Sequence, residues 1–140
     1  MKTAKTMYYA GLGLSLLVGV WHFFVPAMFQ WYAYIPGEYE NLIVGIDWTN
    51  FFFSFLLTGL SLLLILRGKT ILAGSKEALV FYGLSTCTWF FRVLITFIVP
   101  WPLEPIAWAA YGQQIGAFVV FVLHIVPFIV VWRAKRRALL

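Results

Sequence analysis

The residue with the most distinctive chemistry is Arg92, the one cation within the apolar run 80–100. If residues 78–99 form a helix, Arg92 lies ~10 Å from the nearer helix end at 1.5 Å per residue. A charge at that depth in a membrane costs between ~2.5 and more than ~10 kcal/mol unless it is paired or hydrated. We therefore expect Arg92 to face inward toward polar partners. The alternative is an arginine whose guanidinium extends toward the lipid headgroups.

Polar residues near the ends of two other apolar runs are expected at a similar depth. Along ideal helices, His22 lies ~6 Å and Asn50 ~3 Å from the outer ends, and Ser54 lies ~9 Å in. A carboxylate, Asp47 or Glu104, would neutralise Arg92, although Asp47 also suits the cap of a helix starting at residue 48. The sequence thus predicts one polar ligand-binding cluster, whose expected members are His22, Asp47, Asn50, Ser54 and Arg92.

Further polar residues continue inward from this cluster. Thr58 follows on the second helix, Thr88 lies on the third, and Gln113 and His124 lie on the fourth. Such residues recur every three or four positions and share one helical face, which predicts a secondary polar path. His124 lies ~18 Å deep, close to Pro127, whose missing N–H interrupts the helical hydrogen bonds. A local structural role for His124 is therefore the alternative to a functional one.

Other chemistries lack the residues that they need. The two histidines differ in depth by ~12 Å, too much for axial ligands of one haem iron. A metal site would need more ligands than two histidines and Asp47, so none is expected. The lone Cys87 excludes an internal disulfide, and no serine or cysteine has an evident base at helical spacing. Whether the protein is an enzyme stays open.

The elements that must position these residues are membrane helices. Of 140 residues, 63% are hydrophobic and 11% are charged, which excludes an ordinary soluble domain. Four apolar runs approach the ~20 residues that cross a bilayer; they cover 7–26, 48–66, 78–99 and 112–132. The predicted fold is a single all-α domain over 1–140, an integral membrane four-helix bundle. Gly11, Ser15 and Gly19, at intervals of four on the first helix, predict close helix packing.

The basic residues predict the orientation of these helices. Nine of the ten flank the helices on one side: Lys2, Lys5, Arg67, Lys69, Lys76, Arg133, Lys135, Arg136 and Arg137. By the positive-inside rule both termini are cytoplasmic. The aromatic connections 27–46 and 100–112 then lie on the outer surface as interfacial lids. The net charge of +5 is thus a topology signal, the lipid bilayer is the expected partner, and no nucleic acid is expected.

The stretch GVWHFFVPAMFQWYAYIP resembles the G-x-x-HF-x-x-P-x-x-F…(V/I)P pattern of the DoxX-like small membrane proteins. The matching residues are Gly19, His22, Phe23, Pro26, Phe29, Ile35 and Pro36. The run LLTGLSLLL is similar to that family's Gly-containing second helix, so the resemblance covers about the first half of the chain. Family members include membrane subunits of sulfur-compound:quinone oxidoreductases. The resemblance implies a redox-associated or quinone-adjacent accessory role.

These observations lead to one expected function with two alternatives. We expect a small membrane subunit, typical of a bacterial inner (plasma) membrane, that binds an amphiphile in an outer-leaflet pocket. A quinone or a lipid-like molecule fits that pocket, so quinone is the candidate cofactor of an accessory redox subunit. The alternatives are an assembly subunit of a larger membrane complex and a small proton-coupled transporter. A homo-oligomer or a larger complex is the expected assembly.

Overall fold

The computed structural model describes residues 1–101 and 107–137, and this part of the chain is helical without a β-strand. The four long helices are α1 (Lys2–His22), α3 (Glu40–Leu66), α5 (Lys76–Ile98) and α6 (Ala107–Arg137). Two short helices, α2 (Val25–Met28) and α4 (Gly68–Leu72), lie in the connections, and two 3₁₀ turns cover Trp31–Tyr34 and Gly37–Tyr39. The predicted all-α class is therefore confirmed.

Three helical stretches within the described ranges are long and apolar enough to cross a membrane: Gly37–Leu66, Lys76–Ile98 and Ala110–Arg137. Only 22% to 28% of their most apolar segments is buried inside the molecule, so most of these apolar side chains face outward. An exposed apolar surface of this extent is typical of a protein surrounded by lipid rather than water. The prediction of a membrane protein is thus supported by three spans. The helix α1 is not among them, because Lys5 lies within every stretch of it that is long enough to span, and tyrosines and glycines lower its hydropathy further.

The helix boundaries differ from the predicted ones in one informative place. The second long helix was expected over 48–66, and it begins eight residues earlier, at Glu40. Pro36 and Gly37 make the turn before it, so the predicted interfacial segment 27–46 is part irregular and part helix. The other predicted spans, 7–26, 78–99 and 112–132, fall on α1, α5 and α6 with shifted ends. The missed residues are not a polar flank, since 42–46 are apolar and continue the span. The aromatic residues and the Pro36-Gly37 turn before them favoured an interfacial segment instead.

Neighbouring long helices are antiparallel, and α1 packs against both α3 and α6, while α5 packs against α6. The small residues of α1 form these contacts. A Cβ added at Gly19 would lie 2.6 Å from the Thr58 hydroxyl oxygen, and one added at Gly11 would lie 3.0 Å from the His124 ring. Gly11, Ser15 and Gly19 are all buried. The predicted packing face of the first helix is therefore confirmed.

The tightest part of the core lies toward the end of the molecule that carries both termini, here called the lower end. Tyr8, Leu64, Ile71, Tyr82 and Val131 pack there with almost no exposed surface. A small cavity of about 190 Å³ lies beside this core. Two larger cavities among the described residues lie at the opposite, upper end, where α1 and α5 finish and α3 and α6 begin.

Hydrogen bonds join three of the helices near the middle of the molecule. The buried Ser15 hydroxyl oxygen on α1 accepts from the Ser61 hydroxyl of α3 at 2.9 Å and from the Trp89 indole N–H of α5 at 3.0 Å. Hydrogen bonds between membrane helices contribute ~0.6 to ~2 kcal/mol each. This junction separates the packed lower half from the more open upper half.

Candidate ligand-binding cavity

A cavity of about 400 Å³ lies in the upper half, and all four long helices contribute to its walls. Most of its lining is apolar, including Leu14, Val18, Phe53, Leu57 and Val120. This volume and this kind of surface are typical of pockets for small molecules. We call it the main cavity.

Aromatic rings at the margin of the main cavity show where it meets the molecular surface. Trp21 and Trp108 both line it, and they are 37% and 74% exposed. Val119 lines it as well and is 43% exposed. Since these residues belong to α1 and α6, the cavity reaches the surface beside those two helices.

Four polar side chains line the main cavity, namely His22, Thr88, Arg92 and Gln113. Arg92 is half-buried, and its Nη2 donates a hydrogen bond to the Gln113 side-chain oxygen at 2.6 Å. A guanidinium has five N–H donors, so it can serve Gln113 and a further acceptor together. The arginine thus lies inward against a polar partner on α6, as expected, although that partner is an amide.

The His22 ring is held in place by its aromatic neighbours. It lies edge to face with Phe53, at 5.0 Å between ring centroids, and with Trp21 at 5.6 Å. Its backbone carbonyl accepts from the Asn50 side-chain nitrogen at 2.8 Å. The last carbonyls of a helix lack partners within the helix, so Asn50 supplies one for the end of α1. His22 and Arg92 therefore belong to the same cavity, whereas Asn50 acts on the backbone behind it.

Asp47 does not belong to the main cavity, and its expected pairing with Arg92 is wrong. It lines a second cavity together with Asn50, and it accepts a hydrogen bond from the Tyr32 hydroxyl. This bond to Asp47 raises the pKa of Tyr32 to about 12, because an ionised phenol would lose it. The early start of α3 places Asp47 seven residues into the helix, so the capping alternative fails as well. The other expected carboxylate, Glu104, lies outside the described residues.

Ser54 and Thr58 serve helix packing rather than the cavity. Ser54 is fully buried and donates to the Asn50 carbonyl at 2.6 Å, one turn back on its own helix. Thr58 lies against Gly19. Thr88, in contrast, lines the main cavity, and it donates to the Leu84 carbonyl at 3.0 Å. The predicted polar path is therefore divided, with Thr88 and Gln113 at the cavity and Thr58 at a helix contact.

His124 is completely buried below the main cavity. Its Nδ1 lies 2.8 Å from the Val120 carbonyl oxygen, and its Nε2 has no hydrogen-bond partner in the part of the chain that the structure describes. The helix next to Pro127 is stabilised from another side, since the Tyr82 hydroxyl donates to the His124 carbonyl at 2.9 Å. The carbonyl that Pro127 leaves without its helical donor is that of Leu123, so Tyr82 bonds the carbonyl next to the freed one. Nothing in the sequence marks Tyr82 for this contact, because a tyrosine in an apolar run also suits a membrane interface.

Two glycines that shape the main cavity were not anticipated. Gly112 and Gly116 line it, and a Cβ added at either would have no atom of the described residues within 4 Å. Glycines four residues apart normally allow a neighbouring helix to approach, but here they leave space. The spacing was visible in the sequence, whereas the absence of a neighbour was not.

Comparisons of the chain with known protein families, with curated proteins and with solved structures find no match.

Proposed function

We propose that this protein is a four-helix membrane protein that binds a small amphiphile, a quinone or lipid-like molecule, in the main cavity. The observation that carries the proposal is the main cavity itself, whose apolar walls end at the donors of Arg92 and the ring of His22. An apolar tail would occupy the greater part of this space. Oxygen acceptors on the head would receive hydrogen bonds from the guanidinium.

The membrane arrangement that we propose adds α1 as a fourth span and places both termini in the cytoplasm. Its support is the position of the basic residues, which lie at the lower end in nine cases of ten. The upper half, and with it the main cavity, would then lie in the outer leaflet. Because exposed lining residues such as Trp21 would face lipid, an amphiphile could enter directly from the bilayer.

The proposed biological setting is a redox process in a bacterial plasma membrane, with the protein as an accessory subunit. The resemblance of residues 19–36 to the DoxX-like proteins supports it, as does the fit of quinone carbonyls to a guanidinium donor. The assembly subunit and the proton-coupled transporter stay alternative predictions. No observation on the described residues favours either alternative over the binding of an amphiphile.

Binding to the main cavity can be tested by filling it from within. Gly116→Leu would place a side chain in its open space, whereas Gly59→Leu on α3 is the matched control, also without atoms within 4 Å but outside the lining. Decylubiquinone should quench tryptophan fluorescence in the purified protein, since Trp21, Trp89 and Trp108 line the cavity. We expect Gly116→Leu to weaken binding at least about tenfold, or ~1.4 kcal/mol.

The control variant should bind as the parent protein does. Equal quenching in the parent, Gly116→Leu and Gly59→Leu would contradict the proposal, since it would mean that the quinone merely dissolves in the surrounding detergent. Purified complexes that contain further subunits but no bound amphiphile would favour the assembly subunit instead.

A further inference from the structure

A second cavity, of about 380 Å³, lies at the upper end between the residues that follow α1 and the first half of α3. Four of its eight lining residues are aromatic: Phe23, Tyr32, Trp48 and Phe51. The remaining four include one charged side chain, that of Asp47. We call this space the aromatic cavity.

The position of Asp47 has no explanation in the stability of its helix. It lies seven residues after the start of α3 at Glu40, too far along for a capping role. The hydrogen bond that it accepts from Tyr32 involves one of its two carboxylate oxygens. Arg92 has Gln113 as its partner and lines the other cavity. Asp47 is exposed, and the described residues provide no second hydrogen bond to it, so its other carboxylate oxygen is accessible to a molecule in the aromatic cavity.

The rings around this carboxylate favour a particular kind of molecule. The faces of aromatic rings attract cations, and aromatic cages recognise quaternary ammonium groups. Phe23 and Phe51 meet edge to face at 5.6 Å, which fixes their relative orientation. An aromatic belt at a membrane interface would account for the rings, but it requires no carboxylate among them. The exposed Glu38 and Glu40 at the same end add a negative field that attracts cations.

We propose that the aromatic cavity binds an organic ammonium group of the choline type, with Asp47 opposite the positive charge and the rings of Trp48 and Phe51 against its methyl groups. This site is independent of the main cavity and of the amphiphile proposed for it. The same ammonium chemistry occurs in free compounds and in phospholipid headgroups.

The first test compares choline with 3,3-dimethylbutan-1-ol, which has the same shape without the charge. Binding to the purified full chain in a maltoside detergent is followed by the fluorescence change of Trp48, with Trp48→Phe as the reference for its signal. We expect choline to bind at least about tenfold more tightly than the neutral alcohol. Equal binding of the two compounds would overturn the proposal.

The second test removes the charge of Asp47 without removing its oxygen. Asp47→Asn retains an acceptor for Tyr32, so the fold should survive, as circular dichroism and gel filtration would show. We expect this variant to weaken choline binding at least about tenfold, whereas Glu77→Gln, which removes an exposed acid at the lower end, should change it less than about twofold. Unchanged binding in folded Asp47→Asn would overturn the site.

Two further arms identify the source of the ammonium group and separate the two proposals. In phosphatidylglycerol nanodiscs that contain phosphatidylcholine, weaker choline binding than in nanodiscs of equal charge that contain phosphatidylethanolamine instead identifies a lipid headgroup as the resident ligand, and equal binding identifies a free compound. Gly116→Leu, which fills the main cavity, should leave choline binding intact. A protein that binds choline but no quinone would contradict the proposed function alone. A protein that binds quinone but no choline would contradict the aromatic cavity site alone.

Discussion

At the scale of single residues, the partner of Arg92 decides how the main cavity works. A buried guanidinium beside a carboxylate would be neutralised and would attract an anion only weakly. Gln113 carries no charge, so the interaction at 2.6 Å orients the guanidinium and leaves its charge in place. The upper end of the main cavity therefore combines a cation with apolar walls.

We expect Arg92→Leu to weaken binding of a short-chain quinone about tenfold while the protein stays folded. The physical reason is the loss of a charged hydrogen-bond donor, worth ~1.5 to ~3 kcal/mol in net terms. Arg133→Leu removes the same charge from an exposed position outside the cavity lining and serves as the control. Quinone titration of both variants by tryptophan fluorescence measures the difference. Full binding by folded Arg92→Leu would show that the head of the ligand lies elsewhere.

At the scale of elements, the sequence predicted helices better than it predicted which faces meet. The spacing of Ser54 and Thr58 correctly puts them on one face of α3, but spacing alone cannot say whether that face meets a helix or a cavity. Asp47 illustrates the second difficulty. A helix boundary placed eight residues too late made it a terminal residue, and so it was assigned both a cap and a partner that it does not have.

The main cavity could be predicted only in part for the same reason. His22 and Arg92 stand out because a polar group in an apolar run is costly. Gly112 and Gly116 leave space in the main cavity because they have no side chain. Whether such a glycine opens a cavity or allows a close helix contact depends on which helices pack around it. That information resides in the tertiary contacts of α1, α3, α5 and α6, which no single apolar run contains.

The Tyr32–Asp47 hydrogen bond joins the turn Trp31–Tyr34 to α3. We expect it to be lost at strongly alkaline pH. The folded protein raises the pKa of Tyr32 to about 12 from an ordinary value of ~10. A raised pKa means that the neutral phenol is favoured, so the stabilisation is complete below pH ~10 and is lost as the pH rises through about 12. Absorbance titration of tyrosinate measures this ionisation.

Difference titrations isolate this group among the seven tyrosines. Tyr32→Phe should remove the step near pH 12, and Asp47→Ala, which removes the acceptor, should move that step toward pH ~10. Tyr34→Phe, which removes an exposed neighbouring tyrosine, should keep it. If the step near pH 12 survives in Tyr32→Phe, another phenol is responsible and the hydrogen bond is not formed in solution.

At the scale of the whole molecule, the two ends have different physical character. The lower end is densely packed and carries the basic residues, whereas the upper end holds two cavities lined by aromatic rings. A stable lower half can support an upper half whose surfaces are not fully packed against one another. Open space between helices reduces stability. The densely packed lower end offsets that loss, so the upper end can keep a cavity for a ligand.

Labelling of single cysteines in intact cells would test the proposed orientation. In a Cys87→Ser background, Glu38→Cys lies at the upper end and Lys69→Cys at the lower end. We expect a membrane-impermeant maleimide to label position 38 in intact cells and position 69 only after permeabilisation, because the basic end should be cytoplasmic. The Cys87→Ser parent should stay unlabelled. The reverse pattern would place the main cavity in the inner leaflet.

The bond between Arg92 and Gln113 has a consequence for how selective the main cavity is. Any head group that takes the Nη2 donor exchanges one hydrogen bond for another, so the net gain from that contact is small. A head group gains the full charged hydrogen bond only when it reaches another N–H of the guanidinium and leaves the Gln113 bond in place. Among guests of similar length, those that must displace Gln113 should therefore bind more weakly than those that need not.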